Sequence, residues 1–448
     1  MPPAVLLTGS FGVAIASGTT LLSLPFAHAG APVAPLDALF TAVSAVCVTG
    51  LTVVDTGSRF SPAGQTVILA LIQVGGLGLM TFAVFVGVVL GRKVAFTDRM
   101  VIQDSMHHTP RAGVRRLVRY VLTFTVAVEA VGAAVLFIRF RGQLPAGEAL
   151  WHSVFHSVSA FCNAGFGLRP DSLVGYRGDL LVNLAITALV LVGGLGFLVN
   201  MELWDGARVR LRGGRPQLLT LHARLALLVT GALLVAGTVA FAILEWNNVL
   251  RGLPLGERLL ASWFQSVSPR TAGFNTIDYG QVGSDTLFFT IFLMFVGASP
   301  GSTGGGIKTT TFGLLFALVV ARWRGRGRAI VFSRTIPHAV MDRALLLALL
   351  AWAFVSLAIG LLVFTETRGT PFATAEPRFA ALMFEAVSAF GTVGLSTGIT
   401  ASLGTGSKVV LAILMFAGRV GPLTLVLAVG PRPERGRFRY VEENVMVG

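Results

Sequence analysis

A short pattern occurs four times in this chain, and every copy closes on a glycine followed by a large apolar residue. The copies are AVSAVCVTGL from Ala42 to Leu51, SVSAFCNAGF from Ser157 to Phe166, SVSPRTAGF from Ser266 to Phe274 and AVSAFGTVGL from Ala386 to Leu395. The third is one residue shorter between its serine and its glycine. The glycines, Gly50, Gly165, Gly273 and Gly394, lie 115, 108 and 121 residues apart. A second glycine signature follows each copy at an offset of 25, 28, 24 or 24 residues: Gly75-Gly76-Leu77-Gly78, Gly193-Gly194-Leu195-Gly196, Gly297-Ala298-Ser299-Pro300 and Gly418-Arg419-Val420-Gly421. Two markers in a fixed order, four times over, are the mark of an internally repeated architecture.

The surroundings of each copy read alike. A long apolar span comes first, at 3–24, 115–138, 219–244 and 341–364. A short amphipathic stretch follows, at 36–47, 147–161, 256–268 and 376–390, and then the glycine motif. Further long spans come after the motif, as at 62–90, 177–204 and 404–430. Crossing a bilayer takes roughly 20 apolar residues, so the short stretches predict re-entrant half helices. Irregular backbone at membrane depth is tolerable only where it lines a wet cavity or is buried in protein.

Composition agrees. Charged residues make up 12% of the chain and hydrophobic ones 54%, where an ordinary soluble domain carries about 25% charged residues. Mean hydropathy is +0.76. The expected fold is an all-α integral membrane protein: four repeats of helix, re-entrant pore helix with filter loop, and helix, around a pseudo-fourfold pore with eight full spans. The units expected are repeat one at 1–113, repeat two at 114–218, repeat three with an intramembrane loop at 219–338, repeat four at 339–430 and a cytoplasmic tail at 431–448.

The net charge of +14 would suggest nucleic acid in a soluble protein, but its placement argues otherwise. Basic residues cluster at 91–119, 205–224 and 321–343 and in the tail at Arg432, Arg435, Arg437 and Arg439, each cluster after a long apolar span. Positive charge collects on the cytoplasmic side of membrane proteins. Both termini are therefore expected in the cytoplasm of a cell-membrane protein, with no nucleic-acid partner. No Lys or Arg precedes Val5, so 3–24 is read as a retained span rather than a cleaved signal. The two cysteines are too few for a disulfide scaffold.

A cation entering a membrane must exchange its water shell for other oxygens, and backbone carbonyls aimed at one axis supply them. Glycine admits the unusual dihedrals this needs. The expected ion-binding set is Val48, Thr49 and Gly50; Asn163, Ala164 and Gly165; Thr271, Ala272 and Gly273; and Thr392, Val393 and Gly394. Val48-Thr49-Gly50 and Thr392-Val393-Gly394 resemble the start of a potassium-channel filter. The other two are looser, and no copy carries the full five-residue channel sequence, which predicts a short filter.

These motifs, with Pro269-Arg270-Thr271-Ala272-Gly273-Phe274-Asn275-Thr276 and the glycine-rich interruption of the third repeat, resemble the Trk/Ktr/HKT superfamily of potassium transporters over nearly the whole chain, and Ktr-type membrane subunits in particular. The resemblance implies potassium as the carried ion, because relatives favouring sodium tend to have serine where this chain has Gly50. Sodium is the alternative, and no organic cofactor is implied. It also implies a homodimer, helped by the tail at 442–448, and a cytoplasmic nucleotide-binding regulatory ring. The clustered arginines could also meet anionic membrane lipid.

The run ASPGSTGGGIKTTT from Ala298 to Thr311 interrupts a span from about 284 to 320. It is not a phosphate loop, since Ile307 separates Gly306 from Lys308 and no strand precedes it. A movable intramembrane loop is expected instead, with Gly301, Ser302, Thr303, Gly304, Gly305, Gly306 and Lys308 as gate residues. Arg419 joins them. An arginine in mid-span costs about 2.5–3.5 kcal/mol and usually faces a cavity or a partner, and the resemblance assigns this position to the constriction.

Other residues are read more openly. Cys47 and Cys162, three residues before their glycines, are expected as packing. Arg270, at the equivalent place, is either a filter brace or a surface residue. Glu385 stabilises the filter, attracts cations or is a satisfied structural carboxylate, and Glu129 sits inside a span. Asp55 and Asp278 form either an acidic vestibule or solvated loop charge. An enzyme is not expected: no HExxH motif or Ser–His arrangement is evident, and His152 with His156 lacks further zinc ligands. A receptor without flux would leave the fourfold glycines unexplained.

Overall fold

The computed structural model describes residues 3–77, 110–214 and 218–421. Among them one order of elements recurs: helix, short helix, irregular loop, helix. First come α1 (Pro3–Ser23), α2 (Pro35–Val46) and α3 (Pro62–Gly76). Then come α4 (Pro110–Phe140), α5 (Ala146–Phe161), α6 (Leu180–Leu195) and α7 (Phe197–Leu211). Next are α8 (Leu221–Glu245), α9 (Leu255–Val267), α10 (Ser284–Phe295) and α11 (Thr309–Trp323). Last are α12 (His338–Thr367), α13 (Phe372–Gly391) and α14 (Thr405–Val420). A small hairpin of β1 (Ile330–Val331) and β2 (Arg334–Thr335) joins α11 to α12.

Proline starts every short helix. Pro35 is the first residue of α2, and Pro145, Pro254 and Pro371 immediately precede α5, α9 and α13. Its missing N–H costs nothing there, and its fixed φ suits the first turn.

The helices pack as a closed cycle. Within each group the long helix covers its own short helix. Between groups, α3 packs on α5, α6 on α9, α10 on α13, and α14 returns to α2. Every short helix is thereby enclosed, and no residue from Phe40 to Leu51 is exposed. The long helices lie outside. They present Val131 (65% exposed), Val235, Ile243, Trp352 and Leu357 outward, an apolar face too broad for water. Arg119–Phe140, Leu221–Glu245 and His338–Thr367 are each long and apolar enough to cross a bilayer.

The stretch 177–204, expected as one uninterrupted span, is two helices. The chain bends by 106° between α6 and α7. The break falls on Gly196, at φ 89° and ψ 149°, where only glycine is comfortable. A β-carbon there would also press on the Pro300 carbonyl at 2.5 Å. Gly421, three residues after Gly418 as Gly196 is after Gly193, ends α14 at φ 90°. The last glycine of the second signature thus stops a helix in both groups. The interruption of 284–320 falls where expected, between α10 and α11. The expected spans over 78–90 and 422–430, Gly78, the basic cluster at 91–109 and the tail at 431–448 lie outside the described residues.

Candidate functional site

The four motif loops share one backbone signature. Val48, Asn163, Thr271 and Thr392 are left-handed, at φ 57°, 61°, 70° and 48°. Two residues on, Gly50, Gly165, Gly273 and Gly394 are left-handed again, at 92°, 69°, 77° and 90°. The residue between them keeps ordinary negative φ. Such alternation turns successive carbonyls of an extended chain toward one side instead of opposite sides. A non-glycine residue held in the left-handed region costs about 1–3 kcal/mol and persists only where the surroundings impose it.

The loops also close on one another. A β-carbon added to Gly50 would meet the carbonyl of Ala164, and one on Gly165 the carbonyl of Ala272 at 2.9 Å. One on Gly273 would meet the Val393 carbonyl at 2.5 Å, and one on Gly394 the Thr49 carbonyl. The contacts run from the first loop to the second, third, fourth and back to the first. The twelve residues expected at the site are brought together in one ring.

The motif serines Ser44, Ser159, Ser268 and Ser388 hold this ring, a role not read from the sequence. The N–H after the left-handed residue bonds the serine carbonyl in every copy: Thr49 to Ser44 at 2.8 Å, Ala164 to Ser159 at 2.7 Å, Ala272 to Ser268 at 2.9 Å and Val393 to Ser388 at 2.8 Å. The hydroxyls then divide. Ser44 and Ser388 accept from Gly50 N and Gly394 N, both at 3.1 Å. Ser159 donates to the Phe166 carbonyl at 2.8 Å, and Ser268 donates to that of Phe274. The residue the third copy lacks is taken up by a shorter turn with the same bond.

Nine residues before Gly394, buried Glu385 ties down the loop beyond the ring. It accepts from Ser396 Oγ, from Thr397 N at 3.2 Å and from Thr400 Oγ1 at 2.8 Å. It is a structural carboxylate with its oxygens occupied. Gln265 takes the corresponding place in the third copy, with the Tyr279 hydroxyl 2.9 Å away. Arg270 is buried, and its guanidinium donates to the Thr230 carbonyl (3.2 Å) and hydroxyl (3.3 Å) on α8. The surface alternative for Arg270 is therefore excluded. Cys162 is fully buried against Gly76 and Gln73, and Gln73 donates to Glu129 at 3.1 Å. Asp55 and Asp278 cap their own turns, through Ser58 N at 2.8 Å and Gly280 N at 2.9 Å.

The first glycine of the second signature has a packing role. A side chain on Gly75, Gly193 or Gly418 would strike the carbonyl of Val46, Phe161 or Phe390, four residues before the ring glycine in each case. This close approach seats the second helix behind its own loop. The third group departs from the rule. Gly297 meets the Gly305 carbonyl instead, because the chain there has left the helix.

The 299–306 loop lies directly against the ring residues. Gly304 abuts the Thr271 side chain and Gly305 that of Thr392. Asn163, with its amide nitrogen turned inward, donates to Thr303 Oγ1 at 3.0 Å and to the Phe161 carbonyl at 3.1 Å. Three of the four left-handed residues are covered in this way. Gly306 packs on Gly391, and the Gly301 carbonyl accepts from Phe197 N at 3.1 Å. Ser302 Oγ is buried without a partner among the described residues. Lys308 donates to the Gly304 carbonyl at 2.6 Å. Arg419 donates to the Thr303 carbonyl with one nitrogen and to the Gly75 carbonyl with the other. It stands in the last turn of α14, not in mid-helix, because the helix stops two residues later.

A helical protein with four loops closed on one another, and long apolar helices outside them, is an integral membrane protein. Known proteins agree with this class. The TrkH family model, described as cation transport protein, matches residues 5–435. The chain is 41% identical over 449 residues to the Ktr system potassium uptake protein B of Bacillus subtilis, covering 100% of this chain and 97% of that one. It is 39% identical to the potassium/sodium uptake protein NtpJ of Enterococcus hirae, covering 100% and 98%. The crystal structure of the potassium transporter TrkH from Vibrio parahaemolyticus superposes with a TM-score of 0.73 at 18% identity, covering 96% of this chain and 85% of that one. The chain belongs to the TrkH cation transport protein family.

Proposed function

We propose that this chain is the membrane subunit of a potassium uptake system, passing monovalent cations through the ring and closing the pathway with the 299–306 loop and Arg419. The observation that carries the reading is the cyclic contact of Gly50, Gly165, Gly273 and Gly394. Carbonyls on such a ring replace a cation's water shell. The pore helices α2, α5, α9 and α13 all end at the ring, and the negative ends of their dipoles favour a cation there. Thr49 Oγ1 and Thr392 Oγ1 are buried without partners among the described residues. Orphaned hydroxyls are unusual in a finished core and suit a site that receives an ion.

Potassium is favoured over sodium by glycine at all four ring positions and by the names of the relatives. The potassium/sodium name of NtpJ keeps sodium as the second carried ion. The division into four repeats, eight crossings with both termini cytoplasmic, a homodimer and a cytoplasmic Ktr-type regulatory partner belong to the same reading. They rest on the charge clusters and on the relatives rather than on geometry.

In the closed arrangement the loop occupies the space beside Asn163, Thr271 and Thr392, and Arg419 pins it to α3 through Gly75. The charges of Lys308 and Arg419 oppose a cation there. Expression in a bacterium lacking potassium uptake tests the function: growth at low external potassium should be restored. Absence of growth with the protein and its regulatory partner present in the membrane would count against it.

A further inference from the structure

The outer wall of α4 and the bend between α6 and α7 enclose a groove that the ion pathway does not use. Its volume is about 530 Å³, within the roughly 300–1,000 Å³ range of ligand pockets. Tyr120, Phe124 and Val131 line it from α4, Ala188 and Leu189 from α6, and Trp204 from α7. It follows α4 from Tyr120 to Val135, which at about 1.5 Å per residue is roughly 22 Å. That exceeds half of a hydrocarbon core about 30 Å thick.

The chemistry changes along this length. Most of the wall is apolar. Tyr120 and Trp204 lie toward one end, the pairing of apolar body and polar tip found at membrane interfaces. The Tyr120 hydroxyl is buried with no partner among the described residues. Past Trp204, α7 carries exposed Arg208 and Arg210, and exposed Arg212 is the residue that follows its end. Arg208 lies one turn beyond Trp204 on the same helix face, and Arg212 follows at the helix end. Glu202 is occupied by Thr220, through its N–H at 3.0 Å and its hydroxyl at 2.8 Å. Asp205, next to Trp204, disfavours an anion on that turn and leaves the arginines further along to meet one.

We propose that this groove holds an acyl chain of an anionic phospholipid, with its headgroup met by Arg208 and Arg212. An apolar slot of acyl length, with exposed cationic side chains following its lining residue Trp204 along the chain, complements both parts of such a molecule. The helix that carries Trp204 begins at Phe197, whose N–H holds the Gly301 carbonyl.

The test is quenching of Trp204 by lipids brominated on the acyl chain, read as the difference between the full chain and Trp204→Phe in vesicles. Brominated phosphatidylglycerol should quench this component several-fold more than brominated phosphatidylcholine at equal mole fraction. Arg208→Gln with Arg212→Gln should reduce the quenching to the phosphatidylcholine level, and Ala188→Phe should abolish it by filling the groove. The double arginine variant changes only exposed side chains, so it remains informative if Ala188→Phe fails to fold. Equal quenching by both lipids would mean bulk lipid only and would overturn the proposal. So would no quenching by either, the result expected if residues 78–109 or a second copy cover the groove. No ion flux enters the measurement, so it stands or falls apart from the uptake reading.

Discussion

Arg419 and Thr303 are joined across two groups of helices. The guanidinium in the last turn of α14 donates to the Thr303 carbonyl in the loop between α10 and α11. Its second nitrogen reaches Gly75 on α3, so one side chain of the fourth group holds both the loop of the third group and a helix of the first. A hydrogen bond from a charged group contributes about 1.5–3 kcal/mol.

Removing that tie should open the pathway. Arg419→Ala is expected to raise cation flux roughly tenfold or more, as loss of about 1.4 kcal/mol moves a two-state balance tenfold. A variant lacking the 301–306 loop should be at least as active. Arg419→Lys, which cannot reach two carbonyls as a fork, should fall between. Flux unchanged in both the alanine and the loop-deleted proteins would remove the gate from this account.

The ring glycines should tolerate no side chain. Gly50→Ala or Gly394→Ala would set a methyl against the next loop's carbonyl at left-handed φ, a strain of about 1–3 kcal/mol from the backbone alone. Flux should be lost and the melting temperature lowered. Gly231→Ala, in α8 with nothing within 4 Å of the added carbon, should gain up to about 1 kcal/mol of helix propensity and keep full flux. Matching behaviour in the two sets would contradict the ring.

The serine clamps make a graded case. Ser44→Ala or Ser388→Ala leaves a buried glycine N–H unpaired, at a cost of about 1–3 kcal/mol. Because that N–H adjoins the ring carbonyls, ion selectivity should fall more than transport rate. Potassium-to-sodium flux ratios compared with the wild type decide this. An unaltered ratio would mean that the hydroxyl bonds do not shape the ring.

Glu385 predicts a loss without a charge effect. Glu385→Gln retains one acceptor oxygen for a carboxylate that receives three bonds. Thermal stability should drop by about 1–3 kcal/mol, while flux at saturating ion stays near wild type. Flux lost in a stable protein would instead make Glu385 part of the ion path.

Much of this was legible in the sequence because ring building constrains residue type locally. Left-handed backbone at close approach demands glycine, so Gly50, Gly165, Gly273 and Gly394 stood out. The break at 299–306 was legible for the same reason, since glycine and proline oppose a helix. The break at Gly196 was not. One glycine in a run of leucine, valine and phenylalanine leaves the hydropathy of 177–204 unchanged, and the bend depends on contact with Pro300 from a distant segment. The serine clamps were visible as a repeated residue without a visible job, because their partners lie on the far side of a turn. Arg270 and Glu385 remained ambiguous because charge alone does not say whether a neighbour is water or a buried carbonyl.

The most direct measurement is flux of potassium, rubidium, sodium and lithium into liposomes holding the purified chain, beside the same liposomes with Gly394→Ala. The account predicts uptake of potassium and rubidium well above protein-free vesicles, less for sodium, least for lithium, and none through the glycine variant. Uptake that is unselective, or that persists unchanged when Gly394 carries a side chain, would contradict a pathway through the four-loop ring.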